Sequence, residues 1–457
     1  MFVIAHGIVG RTDLPIPEWL FGWAAAVVLV VSFVALAVLW PQPRLQDGGF
    51  RPLPPWLSRA LTNRVTDVLC GLIGVGLLGL VVYAGFSGVQ VAMANFASEF
   101  VFVVFWTGMV GVSVLFGDVF RAFNPWRALG RFVAWISQTA AGGEMPAPLK
   151  YPERLGYLPA AAGLFAFTTL ELVAAEGSKP SNVAIATLVY SAITFVAMAL
   201  YGVDQWSRKG EAFGVYLNLF SRISPWTSRD GRVGLRKPLS GLAAWKPLPG
   251  AVLLLAVMIG TVTFDGAAEA PIWTGVAPDI QDAFVSLGLS PEHGLEAAFL
   301  IGEMLAVGLV YGFYRLGIAG ARSVGGDLSA RELANAFVHS LVPIAFAYVA
   351  AHYLTQLLYQ GQSMIFLISN PLGDDGTDFF GTADRAVDYG VIGATTAWYW
   401  QVGFVVVGHV AALILAHDRA LVTYDKPRLA VRSQYWMLVI MVGFTSLALW
   451  LLAQSNG

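Results

Sequence analysis

Lysine and arginine are segregated along this chain. Of its 27, 24 fall in or beside every second loop between long apolar segments; the exceptions are Arg11, Lys179 and Arg385. Such alternation arises when a chain crosses a bilayer repeatedly and keeps its cations on the cytoplasmic side. Composition agrees. Hydrophobic residues make up 57% and charged residues 12%, against about 25% charged in soluble domains. The net charge of −2 gives no basic patch for nucleic acid, because the charges are sorted by side. A single cysteine, Cys70, excludes an intrachain disulfide and any cysteine-rich metal site.

The expected fold is an all-α, polytopic integral membrane bundle of about ten transmembrane helices, because apolar runs of roughly 17–25 residues cross the hydrocarbon core. The spans fall at 20–40, 66–86, 98–117, 157–175, 183–201, 248–264, 295–315, 335–359, 391–416 and 434–453, with 248–264 the shortest. Residues 1–19 form an N-terminal segment and 20–453 a single membrane domain. Loops 41–65, 118–156, 202–247, 316–334 and 417–433 carry the cations and are read as cytoplasmic. Both termini then lie outside, with the acidic loops 265–294 and 360–390. The cell membrane is the expected location. Within loop 202–247, the stretch Glu211–Phe220 reads as an interfacial helix, with Trp206 and Trp226 as headgroup anchors. Phe120–Trp126 and Phe220–Trp226 share a Phe-x-x-apolar-Asn/Ser-Pro-Trp pattern. Convergent helix-stop chemistry explains it better than a duplicated half.

Ionisable groups inside a bilayer are costly and point to function. Glu171, Glu296, Glu303, His339, His352 and His409 qualify, with Asp265 at the outer mouth of the sixth span. Glu296 and Glu303 are seven apart, on one helical face. Tyr348, His352, Thr355, Gln356 and Tyr359 form a polar stripe on the eighth span. At a rise of 1.5 Å per residue, Glu303 and His352 both lie ~11–12 Å below the outer end. Such a site could bind a metal or relay a proton; a structural network pinning helices together is an equal alternative. His339 and His409 lie toward the inner side. Their spacing to His352 and His417 does not place two histidine pairs at matching levels, which argues against b-type haem.

Val3-x-Ala5 resembles the small-residue pair before a signal-peptidase cut. A chain beginning at His6 would offer an α-amine and an imidazole to one ion, a set that suits copper; an ordinary tail with a solvated histidine is the simpler alternative.

Several motifs carry a family resemblance across nearly the whole length: His6-Gly-x-x-Gly-Arg11-x-Asp13-Leu-Pro15-Ile-Pro17, Thr263-Phe-Asp265-Gly266, His339-Ser-Leu-Val-Pro343, His352-Tyr353 with Gln360-Gly-Gln362, Phe380-Gly-Thr-Ala-Asp384, and Gly408-His409 with Ala416-His417-Asp418-Arg419-Ala420. Together they resemble the bacterial membrane proteins called fenitrothion hydrolases. The resemblance implies hydrolysis of an apolar organophosphorus ester. A divalent transition metal, copper or zinc, would activate water. In that scheme His6, Glu303 and His352 are ligands, and Glu296 or Asp265 the general base.

A permease using the same Glu/His groups as a proton or metal path, and an accessory subunit of a membrane complex, are the competing classes. A permease calls for discontinuous spans and a path to both faces; an enzyme calls for one outward-facing pocket.

Overall fold

In hydrocarbon every backbone N–H and C=O must find an internal partner, so the apolar runs become helices. The computed structural model describes residues 18–142, 147–325 and 327–454. The helices that build the bundle are α1 (Glu18–Leu39), α2 (Arg64–Ser87), α3 (Phe96–Phe116), α4 (Leu158–Leu172), α5 (Pro180–Tyr201), α6 (Ala212–Ser221), α7 (Ala251–Ala268), α8 (Pro291–Ser323), α9 (Ala330–His352), α10 (Ala394–Thr423) and α11 (Tyr435–Gln454). Among the described residues nine helices are long and apolar enough to cross a membrane. All ten expected spans are helical, but α4, at 15 residues, is too short to cross unaided. The shortest expected span, 248–264, is among those nine. It becomes α7, which with α9 is the most enclosed of the candidate spans, each having 72% of its apolar window buried. A short apolar run has no need of length when protein rather than lipid surrounds it.

The charge alternation corresponds to two physical faces. On the basic face, β1 (Arg51–Pro52) from loop 41–65 pairs antiparallel with β3 (Arg232–Leu235), which also pairs with β2 (Trp226–Arg229) from loop 202–247. Asp418, fully buried at the inner end of α10, accepts hydrogen bonds from the backbone N–H of Arg44 (2.5 Å) and Leu45 (3.2 Å), Gln46 Nε2 (2.8 Å) and Trp40 Nε1 (3.2 Å). Tyr314 and Tyr424 hydroxyls donate to the carbonyls of Ala334 (2.6 Å) and Ala321 (3.1 Å), tying in loop 316–334. On the acidic face, Val89 N–H donates to Leu372 (2.8 Å), and Ser98 Oγ to Ser178 (2.7 Å). Asp378 there accepts from Ser369 Oγ, which holds its carboxyl below the usual aspartate range.

Loop 202–247 holds the main departure from expectation. Its helix α6 does not lie in the interface. Phe213, Tyr216, Leu217, Leu219 and Phe220 are all buried, and α6 packs against α4, α9 and the last two turns of α3. Apart from Asn218 and Ser221 the stretch is apolar, which suits a helix enclosed within the bundle. Its N-cap is Glu211, whose buried carboxylate accepts from Phe213 N–H (2.9 Å), Gly214 N–H (2.8 Å) and Asn124 Nδ2 (2.9 Å). Trp206 is no headgroup anchor either: it is buried against Tyr151 and Tyr201. The two Asn/Ser-Pro-Trp segments also diverge. Asn124 caps the helix Pro125–Ala140, whereas Trp226 begins strand β2.

Asp418 gathers four donors from the segment after α1, so Asp418→Ala strands buried donors. A loss of about 2–4 kcal/mol is expected, read as a lower Tm of the detergent-purified protein. An unchanged Tm would show that water replaces these bonds.

Candidate functional site

Four helices meet around one polar cluster: α4, α7, α8 and α9. Two glycines allow the close approaches behind it. A Cβ at Gly260 of α7 would lie 2.6 Å from the Val307 backbone of α8, and one at Gly408 of α10 would lie 2.7 Å from the Pro343 carbonyl of α9. Small residues at such crossings let interhelical polar groups reach one another.

Asp265 sits near the outer end of α7 and is buried. Its Oδ2 lies 2.8 Å from His352 Nε2 and accepts from the Tyr353 hydroxyl at 2.8 Å. Consecutive residues of a regular helix point ~100° apart. Here α9 ends at His352, Tyr353 separates it from the next helix (Leu354–Tyr359), and both rings turn onto one carboxylate oxygen with centroids 4.8 Å apart. The expected stripe Tyr348–Tyr359 is therefore not one continuous face. Tyr348 Oη reaches the Phe444 carbonyl (3.4 Å), and Tyr359 Oη that of Ile392 (2.8 Å). Gln356 is buried with its Oε1 lacking a hydrogen-bond partner among the described residues.

Glu303 is fully buried on α8 and accepts from Thr168 Oγ1 (2.7 Å) and Thr169 Oγ1 (2.9 Å) of α4. One turn further out on α4, Glu171 is buried within the electrostatic field of both Asp265 and Glu303. Its Oε2 has no hydrogen-bond partner among the described residues, and neither has the hydroxyl of Tyr216, its electrostatic neighbour on α6. Trp106 stacks on Tyr216 (4.7 Å between centroids) and borders Tyr353. It belongs to the nine-residue π-helical stretch Phe100–Gly108 within α3. Such stretches recur at functional sites.

The other expected site residues are placed elsewhere. Glu296 lies on the same face of α8 as Glu303, but accepts from the Ala175 N–H (2.9 Å) and so ties α8 to the end of α4. His339 and His409 are buried toward the inner side. His409 hydrogen-bonds the Val405 carbonyl through Nδ1 (2.7 Å) and lies beside Tyr348, with centroids 6.4 Å apart, one turn inward of His352. His6 lies outside the described residues. Among the described residues no three His, Cys, Asp or Glu side chains converge at metal-holding distance.

Sequence reasoning missed Tyr353, Thr168, Thr169, Tyr216, Trp106 and Glu99. The last is buried at the outer start of α3 and accepts from Ser363 Oγ (3.1 Å). Legible signals existed for Glu99, a lone carboxylate among Phe and Val, and for Tyr353, which stands in the His352-Tyr353 motif; none existed for the others.

Comparison with protein-family models, with characterised proteins and with solved structures returned no match. The fold alone sets the class: an integral, multi-pass helical membrane protein with a buried carboxylate–imidazole cluster.

A double-mutant cycle tests the central pair. Asp265→Asn and His352→Gln are expected to be coupled by about 1 kcal/mol, the scale of interhelical hydrogen bonds in membranes. Tm values of the two single variants and the double variant measure it; strict additivity would dissolve the pair.

Proposed function

We propose that the protein is a proton-coupled permease of the cell membrane, in which Asp265 and His352 take up and release the proton. The observation that carries this reading is that Glu171 lies within reach of both Asp265 and Glu303, from three helices, and that Asp265 is bonded to His352 at a helix break. Like charges in a low-dielectric bundle repel strongly, and a proton arriving on the cluster relieves that repulsion. An imidazole suits the task because its two ring nitrogens can accept and release a proton on opposite sides. The interruptions of α3 and α9 support the reading, since discontinuous spans mark transporter binding sites. Tyr348, one turn inward of His352 on α9, lies beside His409.

Proton uptake tests it directly. Detergent-purified protein is stepped between about pH 8 and 5, the range in which histidine titrates, and uptake is read with a pH dye. Asp265→Asn with His352→Gln is expected to lower uptake by about one proton per chain. Equal uptake by wild type and variant would overturn the assignment.

A second reading is favoured by the Asp265–His352 bond, the arrangement in which a carboxylate orients a general-base imidazole. Combined with the family resemblance, it makes the protein a hydrolase of an apolar organophosphorus ester, with His352 deprotonating water. A metal-assisted form would need His6 beside Glu303 and His352. The structure engages Glu303 with Thr168 and Thr169, and His352 with Asp265, so this form draws no support from the described residues. Phenolate release from fenitrothion by the purified protein is then expected to fall by about 10²–10⁴ in His352→Ala. No release by wild type would remove this reading. Elemental analysis tests the metal form: copper or zinc content that falls in His352→Ala would support it.

A further inference from the structure

A crevice of about 1010 Å³ runs along the outside of the bundle between α4, α7, α8 and the helix Ala330–Phe337. Its walls are apolar, including Phe165, Val257, Met304 and Val307. Its polar side chains gather at the inner end: Tyr311, Arg315, Arg331 and Asn335. Along α8 the crevice extends from Met304 to Arg315, eleven residues or ~16 Å at 1.5 Å each. That is the depth of one leaflet of a hydrocarbon core ~30 Å thick. The crevice is open sideways toward lipid, for Met304 and Tyr311 on its lip are 58% and 39% exposed.

The two arginines give the crevice a preference. Both are exposed at the basic face, and among the described residues neither forms an ion pair. Guanidinium groups pair bidentately with phosphate oxygens, and basic pockets between transmembrane helices hold anionic headgroups. A neighbouring helix would need a long apolar stripe and would leave both charges stranded. Gly308 faces open space in the crevice, where an added Cβ meets no heavy atom within 4 Å.

We propose that this crevice is a binding site for an anionic phospholipid of the cytoplasmic leaflet. Its phosphate is held by Arg315 and Arg331 and one acyl chain lies along Phe165, Val307 and Met304. Met304 adjoins Glu303, and Phe165 is one turn from Thr168. A bound chain would thus lie along the same two helices, α4 and α8, that carry the Glu303–Thr168 contact. The assignment stands whether or not the polar cluster carries protons.

Native mass spectrometry of full-length protein released from nanodiscs tests it, with phosphatidylcholine alone or mixed with phosphatidylglycerol as the probe. Wild type is expected to retain about one phosphatidylglycerol per chain, with at least tenfold preference over phosphatidylcholine. The double variant Arg315→Ala/Arg331→Ala is expected to lose the preference, while Arg315→Lys/Arg331→Lys keeps part of it. Gly308→Phe is expected to lose retention by filling the crevice with both charges intact. Monodisperse elution and unchanged helical circular dichroism establish that the variants fold. No phosphatidylglycerol preference in wild type, or a preference kept in both Arg315→Ala/Arg331→Ala and Gly308→Phe, would overturn the proposal. A dimer by light scattering that Gly308→Phe dissociates would also overturn it, by assigning the crevice to a second copy.

Discussion

Hydrocarbon solvates neither charge nor unpaired backbone, and most of this structure follows from that. Polar groups have two low-cost destinations, the faces of the bilayer and one another. The cations take the first. They collect on one face, where the sheet formed by β1, β2 and β3 and the buried Asp418 join loops far apart in sequence. The carboxylates that remain inside take the second, and each is met by a donor from another helix: Glu303 by Thr168 and Thr169, Asp265 by His352 and Tyr353, Glu211 by Asn124.

Glu171 is the informative exception. One of its oxygens has no hydrogen-bond partner among the described residues, and it lies in the field of two other carboxylates. An orphaned buried acceptor costs about 1–3 kcal/mol, and Tyr216 and Gln356 carry orphaned oxygens as well. A site through which a proton passes must hold a group able to receive it. The broken geometry nearby fits the same account: the π-helical stretch of α3 and the interruption at Tyr353 both face this cluster. The crevice along α7 and α8 fits the same constraint, with an apolar depth and its two arginines gathered at one end.

The failures of sequence reasoning have a common origin. Glu211–Phe220 reads as interfacial because a short apolar helix in a polar loop has nowhere obvious to be buried. Its burial depends on packing against α4, α9 and the end of α3, segments distant in sequence. The span near 248–264 stood out only as the shortest, and its enclosure by other helices is not written in its own residues. The stripe on the eighth span assumed an unbroken helix, and Tyr353 broke it.

Local chemistry, written in the order of residues, was enough to indicate that the chain is a multi-pass helical bundle, which loops share a face, and that Glu303 and His352 lie at similar depth. Apolar run length and charge sorting are responses to the bilayer, felt by each segment alone. Only tertiary structure decided that Asp265 pairs with His352 while Glu303 pairs with threonines, that Glu296 is a tether, and that α6 lies inside. Those outcomes depend on which helices touch and how they are rotated, and helix rotation is set by packing between segments that no single stretch of sequence contains.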